Sequence, residues 1–174
     1  MSRSVKTEAI VLRKRSLLNK DLLVSLFSES FGKITVIAKG VKKLTSRRAP
    51  HLETFNLINT QLHKKGERLY LEGTSLLSGF SELKKNQGKL GPLYQFFFVL
   101  ERLLPENQKE DVIYYLTKSF LIKLSRTTSK YDILEQHLNK LLKGLGYTKK
   151  DHDMTELEAI ISDLINEKLP EFHI

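Results

Sequence analysis

The 174-residue sequence predicts an α+β chain in two modules, a closed sheet of five short strands over residues 1–80 and an α-helical bundle over residues 81–174. Three observations lead there. Apolar residues alternate between turn signals in the first half, they recur every three to four positions in the second, and the basic surplus lies entirely in the first. Residues 1–85 hold 17 Lys and Arg against 7 Asp and Glu, a net of +10, whereas residues 86–174 hold 12 against 13, a net of −1.

Taken in order, Thr7 to Arg13 carries Ile10, Val11 and Leu12, Leu22 to Ser28 is rich in Leu and Val, and Lys33 to Lys39 alternates Ile34, Val36 and Ala38 against Lys33, Thr35 and Lys39. Each reads as a strand. Glu29-Ser30-Phe31-Gly32 between the last two reads as a hairpin turn, with Gly32 supplying a positive φ. A basic loop from Gly40 to Pro50 precedes two further strands, Phe55 to His63 and Arg68 to Gly73, around a turn at Lys64 to Glu67. Five short strands with little helical signal between them suit a small OB-type barrel, with an SH3-like barrel as the competitor, because parallel open sheets need crossovers of about a dozen residues.

The period turns helical beyond a boundary near Phe80 to Gly91. Pro92 suits a first helical turn, and Leu93, Phe96, Phe97, Leu100, Leu103 and Leu104 share a face until Pro105. Phe98 and Val99 make this helix apolar nearly all round, so it is expected at the centre of the bundle. Val112, Leu116, Phe120 and Leu124 are expected to line a second helix, and Leu134, Leu138, Leu141, Leu142 and Leu145 a third, closed by Gly144 and Gly146. Thr155 with Glu158 spells a capping box for a fourth, carrying Leu157, Ile160, Ile161 and Leu164.

Several function classes drop out. With no cysteine there is no disulfide, thiolate zinc site, iron–sulfur cluster or cysteine nucleophile. The longest apolar run, Phe96 to Leu100, is far short of the roughly 20 residues of a membrane span, and Ala9 to Leu12 is too short for a signal-peptide core. A cytoplasmic protein is expected. The histidines at 51, 63, 137, 152 and 173 show no metal-ligand spacing, and Asp151-His152-Asp153 reads as a polar approach to the last helix. Phosphate-cradling glycine loops and a Gly-x-Ser-x-Gly elbow are absent, so no enzymatic activity and no cofactor or metal are expected.

The basic residues of the first half point to a polyanion. Arg13, Lys14 and Arg15 end the first strand, Lys39, Lys42 and Lys43 end the third, Arg47 and Arg48 follow in the loop, and Lys64, Lys65 and Arg68 surround the last turn. Lys64 and Lys65 fit a solvated turn; the others, with Lys33 and Tyr70, form the candidate nucleic-acid-binding set. Lys and Arg on one face bind a phosphate backbone by releasing condensed counterions. Aromatics are sparse there, and Phe55 reads as core, so electrostatics should outweigh stacking.

The residues Thr7-Glu8-Ala9-Ile10-Val11-Leu12, Leu26-Phe27-Ser28 with Gly32-Lys33, Ala38-Lys39-Gly40-Val41-Lys42-Lys43, and Leu52-Glu53-Thr54-Phe55 occur in order. This series resembles the N-terminal pattern of the bacterial recombination-mediator family RecO. Leu141-Leu142-Lys143-Gly144-Leu145-Gly146-Tyr147 is similar to the end of one of that family's later helices. The resemblance implies an OB barrel followed by helices. It also implies DNA repair and homologous recombination: binding of single-stranded DNA, extending to double strands, annealing of complementary strands, and loading of RecA with RecR on DNA covered by single-strand-binding protein. Many members carry a four-cysteine zinc site, which this cysteine-free chain lacks, so zinc is not carried over. A site for the acidic, hydrophobic C-terminal tail of single-strand-binding protein is implied, and Lys118, Lys123, Arg126, Lys140 and Lys143 are the candidate rim for it, near the aromatic runs Tyr94 to Phe98 and Tyr114-Tyr115. Those runs also fit a packed core. An RNA-binding OB protein, or a module recognising acidic peptides, would carry the same basic stripe.

Overall fold

The computed structural model describes residues 4–41 and 46–171, and Lys42 and Lys43 of the candidate set fall outside them. Backbone contacts divide the chain into two compact units, Met1–Gly79 with Pro105–Asp111, and Phe80–Leu104 with Val112–Ile174. The sequence-based division had placed Pro105–Asp111 among the helices.

In the first unit, β1 (Ser4–Ser16), β2 (Leu22–Ser28), β3 (Gly32–Ala38), β4 (Leu57–Lys65) and β5 (Arg68–Ser78) close a barrel in the order β1-β2-β3-β5-β4. β3 and β5 pair in parallel, and every other pair is antiparallel. This is the OB arrangement. β1 outruns its expected span because it serves two partners, β4 along Ser4–Ile10 and β2 along Ala9–Ser16. β5 likewise runs on to Ser78, paired with Leu57 of β4. Phe55 precedes β4 rather than starting it. Its φ of 71° turns the chain, and its N–H donates to the Val11 carbonyl at 2.8 Å.

Alternation puts Ala9, Val11, Val24, Leu26, Ile34, Val36, Ile58, Leu62 and Leu71 in the barrel core. A 3-10 helix, Ala49–Leu52, adds the buried Leu52 to that cluster. Gly32 does the work expected of it, with a φ of +71°, and something more: a Cβ there would overlap the carbonyl of Gln108. The segment Pro105–Asp111 can therefore lie against the start of β3. The Asn107 N–H donates to the Lys33 carbonyl at 2.8 Å, and the Lys33 ammonium meets Glu106 at 3.1 Å.

The second unit holds five helices among the described residues, α1 (Ser81–Lys85), α2 (Gln87–Leu103), α3 (Asp111–Arg126), α4 (Lys130–Gly144) and α5 (Met154–Ile165). α2 is the central helix and packs against α1, α4 and α5. Its Phe96 ring stacks on Phe120 of α3 with centroids 4.1 Å apart. Pro92 lies inside α2, not at its first turn, because the helix begins at Gln87. The buried stripe of α3 is Ile113, Tyr114, Thr117, Phe120, Leu121 and Leu124. Val112, expected there, is 74% exposed. The cap of α5 is Asp153, whose carboxylate accepts from the Glu156 N–H at 2.9 Å, so Thr155 is the second residue of the helix and not its cap. Of the aromatic runs, Phe96, Phe97 and Tyr114 are buried and Tyr94 and Tyr115 exposed.

His137 of α4 is fully buried. Its Nδ1–H donates to the Ile133 carbonyl at 2.7 Å, leaving Nε2 without a partner. Burial pushes its pKa below 6.5, the nearby Lys123 and Lys140 charges push the same way, and the Ile133 carbonyl opposes them. The folded state therefore binds this proton less readily than the unfolded chain, so stability is whole above 6.5 and falls as the pH drops below it toward the depressed folded value. Urea titrations across that range should record the loss, and His137→Phe should flatten it. Gly32→Ala should lower stability by more than about 2 kcal/mol, from left-handed strain plus the Gln108 overlap. Gly66→Ala, at a φ of +61° with open space around it, should cost only the strain, about 1 kcal/mol. Equal midpoint shifts for the two glycines would show that the Gln108 contact contributes nothing.

Candidate nucleic-acid interface

Where the basic side chains point is settled in β1. Ala9 and Val11 face the core, and strict alternation would carry Arg13 and Arg15 inward after them. The register with β2 instead shifts between Val11 and Arg13, a bulge at Leu12. After it, Arg13 pairs with Ser25, Lys14 with Val24 and Arg15 with Leu23. Directly opposed residues share a face, so Arg13 and Arg15 stand outside with Ser25 and Leu23. Both are exposed. Lys14 stands on the inner side and forms an ion pair with Glu53, next to the 3-10 helix.

The same outer row continues around the barrel. Leu23 pairs with Ile37 of β3, Ile37 with Tyr70 of β5, and Tyr70 with His63 of β4. Ser25 pairs with Thr35, extending the Arg13 row. Arg68 precedes Tyr70 by two residues on β5 and is exposed on the same outer side. A cavity of about 510 Å³ opens over this surface, with Leu23, Thr35 and Ile37 as its floor, Leu17 of the β1–β2 loop on one wall, and Glu67 and Arg68 of the β4–β5 turn on another. In OB barrels this is the face, between these two loops, that holds oligonucleotides. The β1–β2 loop has a defined shape: the Leu17 N–H donates to the Asp21 carbonyl at 2.9 Å, and the Asp21 carboxylate accepts from the Gly40 N–H at 2.7 Å.

Tyr70 has neighbours already in place. The His63 ring stacks on it with centroids 5.3 Å apart, and Lys39 Nζ lies 4.9 Å from its centroid. His63 Nδ1 in turn lies 3.1 Å from Glu72. A base reaching Tyr70 must displace a lysine, so the contact offered there is a cation on an aromatic ring more than an open stacking surface.

The structure thus brings Arg13, Arg15, Lys39, Arg68 and Tyr70 to one outer surface and leaves Arg47 exposed in the loop before the 3-10 helix. Lys14, Lys33 and Arg48 are occupied elsewhere. The Arg48 guanidinium donates to the Leu71 carbonyl at 3.0 Å and to the Lys39 carbonyl at 2.5 Å, tying the loop to β5 and to the residue that follows β3. Lys33 is held by Glu106, its side chain only 13% exposed. Leu17, Leu23, Thr35, Ile37 and Asn107 were not anticipated as site residues. Ile37 carried a signal, an apolar residue on the polar side of an alternating strand; Asn107 carried none.

In the helical unit, Lys123, Arg126, Lys140 and Lys143 are exposed. Lys118 Nζ lies 5.8 Å from the Tyr115 ring centroid. The charges of Lys123 on α3 and Lys140 on α4 both act on the buried His137. Lys143 is paired with Asp151 at 2.6 Å. Among the described residues no helix is long and apolar enough to cross a membrane.

Residues 1–80 match the family model described as the N-terminal domain of recombination protein O. The chain is 29% identical over 146 residues to the DNA repair protein RecO of Caldanaerobacter subterraneus subsp. tengcongensis, covering 83% of this chain and 59% of that protein. It is 27% identical over 145 residues to that of Syntrophobacter fumaroxidans, covering 83% and 58%. For that of Nitrosospira multiformis the figures are 30% over 167 residues, 87% and 62%. The chain spans about six-tenths of the length of these relatives.

The two classes of arginine separate by stability. Arg48→Ala leaves two carbonyls without their charged donor and is expected to lower the unfolding free energy by about 2 kcal/mol. Arg15→Ala, on the open outer face, is expected to change it by less than about 0.5 kcal/mol. Urea titrations of both variants measure this, and equal effects would contradict the assignment of Arg48 to the scaffold.

Proposed function

From the match of residues 1–80 to the N-terminal domain of recombination protein O, we propose that the chain is a member of that family and a non-enzymatic mediator of DNA repair and recombination. It binds single-stranded DNA, and double strands as well, across the outer surface of β1, β2, β3 and β5. It anneals complementary strands, and with RecR it helps to load RecA on DNA covered by single-strand-binding protein. Its place is the cytoplasm, with the nucleoid.

The observation that carries this reading is the cavity between the β1–β2 loop and the β4–β5 turn, with Arg68 on its wall and Leu23, Thr35 and Ile37 on its floor. Arg13 and Arg15 extend the rows of that floor. Lys39 is set against Tyr70 on the neighbouring strand. Phosphates run along the cations while the apolar floor accepts the edges and faces of bases. Annealing follows from charge alone, because a cationic surface weakens the repulsion between two phosphate backbones and no bond needs to be made or broken. In the helical unit, the acidic C-terminal tail of single-strand-binding protein docks on the lysines of α3 and α4, Lys123 and Lys140 above all, with Lys118 and Arg126 beside them.

Fluorescence anisotropy with a labelled single strand, read across a salt series, tests the DNA reading. Log affinity should fall linearly with log salt, by about 0.7 per phosphate contacted, and replacing Arg15 and Arg68 together with Ala should reduce that slope by about 1.4. Affinity should drop at least tenfold at low salt, and strand annealing should slow with it. Absence of binding near physiological salt, or an unchanged slope in the double variant, would remove the proposal. Equal-length RNA that outcompetes the DNA strand would turn it toward RNA.

A further inference from the structure

The first unit holds a second cavity, of about 410 Å³, that the proposed groove does not use. Its walls are mostly apolar, among them Val5 at the start of β1, Phe31 of the β2–β3 turn, and Leu69 of β5. Phe31 and Val5, 38% and 39% exposed, both line this concavity. Ser30 and Asn107 add polar groups to the lining, and Lys64 and Lys109 add two cations. Leu69 and Asn107 line this cavity and the groove alike, so the two hollows adjoin.

Resting on the nucleic-acid reading of that groove, we infer that this second cavity receives one unstacked nucleobase of the bound strand. Each component of a nucleotide meets a matching surface. The flat apolar face of the base lies against the Phe31 ring and the Val5 and Leu69 side chains. Its polar edge meets Ser30 and Asn107, whose hydroxyl and amide both donate and accept. The phosphates at its mouth meet Lys64 and Lys109. Lys64 lies 3.9 Å from Glu67 and Lys109 3.1 Å from Asp111, in exposed pairs that hold little energy and yield readily to a phosphate. The volume lies within the range of small-ligand sites, about 300 to 1,000 Å³. The cavity is also built partly by Pro105–Asp111, which reaches β3 only because residue 32 is a glycine. Base capture supplies what the groove lacks, since Tyr70 is already covered by His63 and Lys39.

The test compares two strands of equal length and charge, oligothymidylate and the same sugar–phosphate chain without bases, by fluorescence anisotropy at one salt concentration. The unmodified protein should bind the base-bearing strand at least tenfold more tightly. Phe31→Ala removes the aromatic wall and Val5→Trp fills the cavity from its rim, so that a folding defect in one leaves the other to report. Either folded variant should lose most of the preference while keeping the salt slope. Equal binding of both strands by the unmodified protein, or a preference that survives both variants, would overturn base capture and leave the groove intact. Failure to bind either strand would overturn the groove reading and this inference with it.

Discussion

The bulge at Leu12 is the constraint on which the outer electrostatic surface depends. A guanidinium left unpaired in an apolar barrel core costs several kcal/mol, comparable with the whole stability of a small domain. An uninterrupted β1 would send two of them there. One extra residue reverses the facing of everything after it. Leu12 stays buried while Arg13 and Arg15 move outside and Lys14 comes to lie by Glu53. The placement of charge on this side of the barrel is therefore set by one irregularity in the β1–β2 pair.

Cations in this barrel divide by what holds them. Arg48, Lys14 and Lys33 each fasten a stretch of irregular chain, the loop before the 3-10 helix, the residue just after it, and Pro105–Asp111 respectively. A cation engaged in that way has a fixed counter-charge or carbonyl and little to offer a phosphate. Arg15, Lys39 and Arg68 are exposed and frame apolar ground at Leu23 and Ile37, and Arg47 is exposed in the loop before the 3-10 helix. Alternating cation and hydrocarbon across neighbouring strands matches a polymer that itself alternates phosphate and base. Contacts to phosphate position a nucleic acid without reading its sequence.

The helical unit follows different physics. Its helices meet through rings, Phe96 on Phe120 and His137 edge-on to Phe120 at 5.4 Å, and the chain just after α5 is held to α2 by Arg102, whose guanidinium grips Glu167 with two hydrogen bonds of 3.0 and 2.9 Å. That grip holds the Glu167 carboxyl below its ordinary range. A neutral histidine in the middle of the aromatic cluster makes this core sensitive to acid in a way the barrel core, built from aliphatic side chains, is not.

By itself, the amino-acid order determined the five strands, the hairpin at Gly32, the central apolar helix and the basic surplus of the first half. Each of these is a short-range property: alternation, turn chemistry and helical spacing act over a few residues and can be read in a line. It did not determine the bulge, the closing pair of β3 with β5, the capture of Lys33 by Glu106 some seventy residues away, or the helix cap at Asp153 in place of Thr155. Only the tertiary structure decided these, because which side chain faces water, which cation is already spoken for and which carbonyl needs a donor depend on segments that meet in space while lying far apart in the chain. Arg15 and Arg48 look alike as letters in one basic half; the barrel leaves one exposed on its outer surface and makes the other part of its own frame.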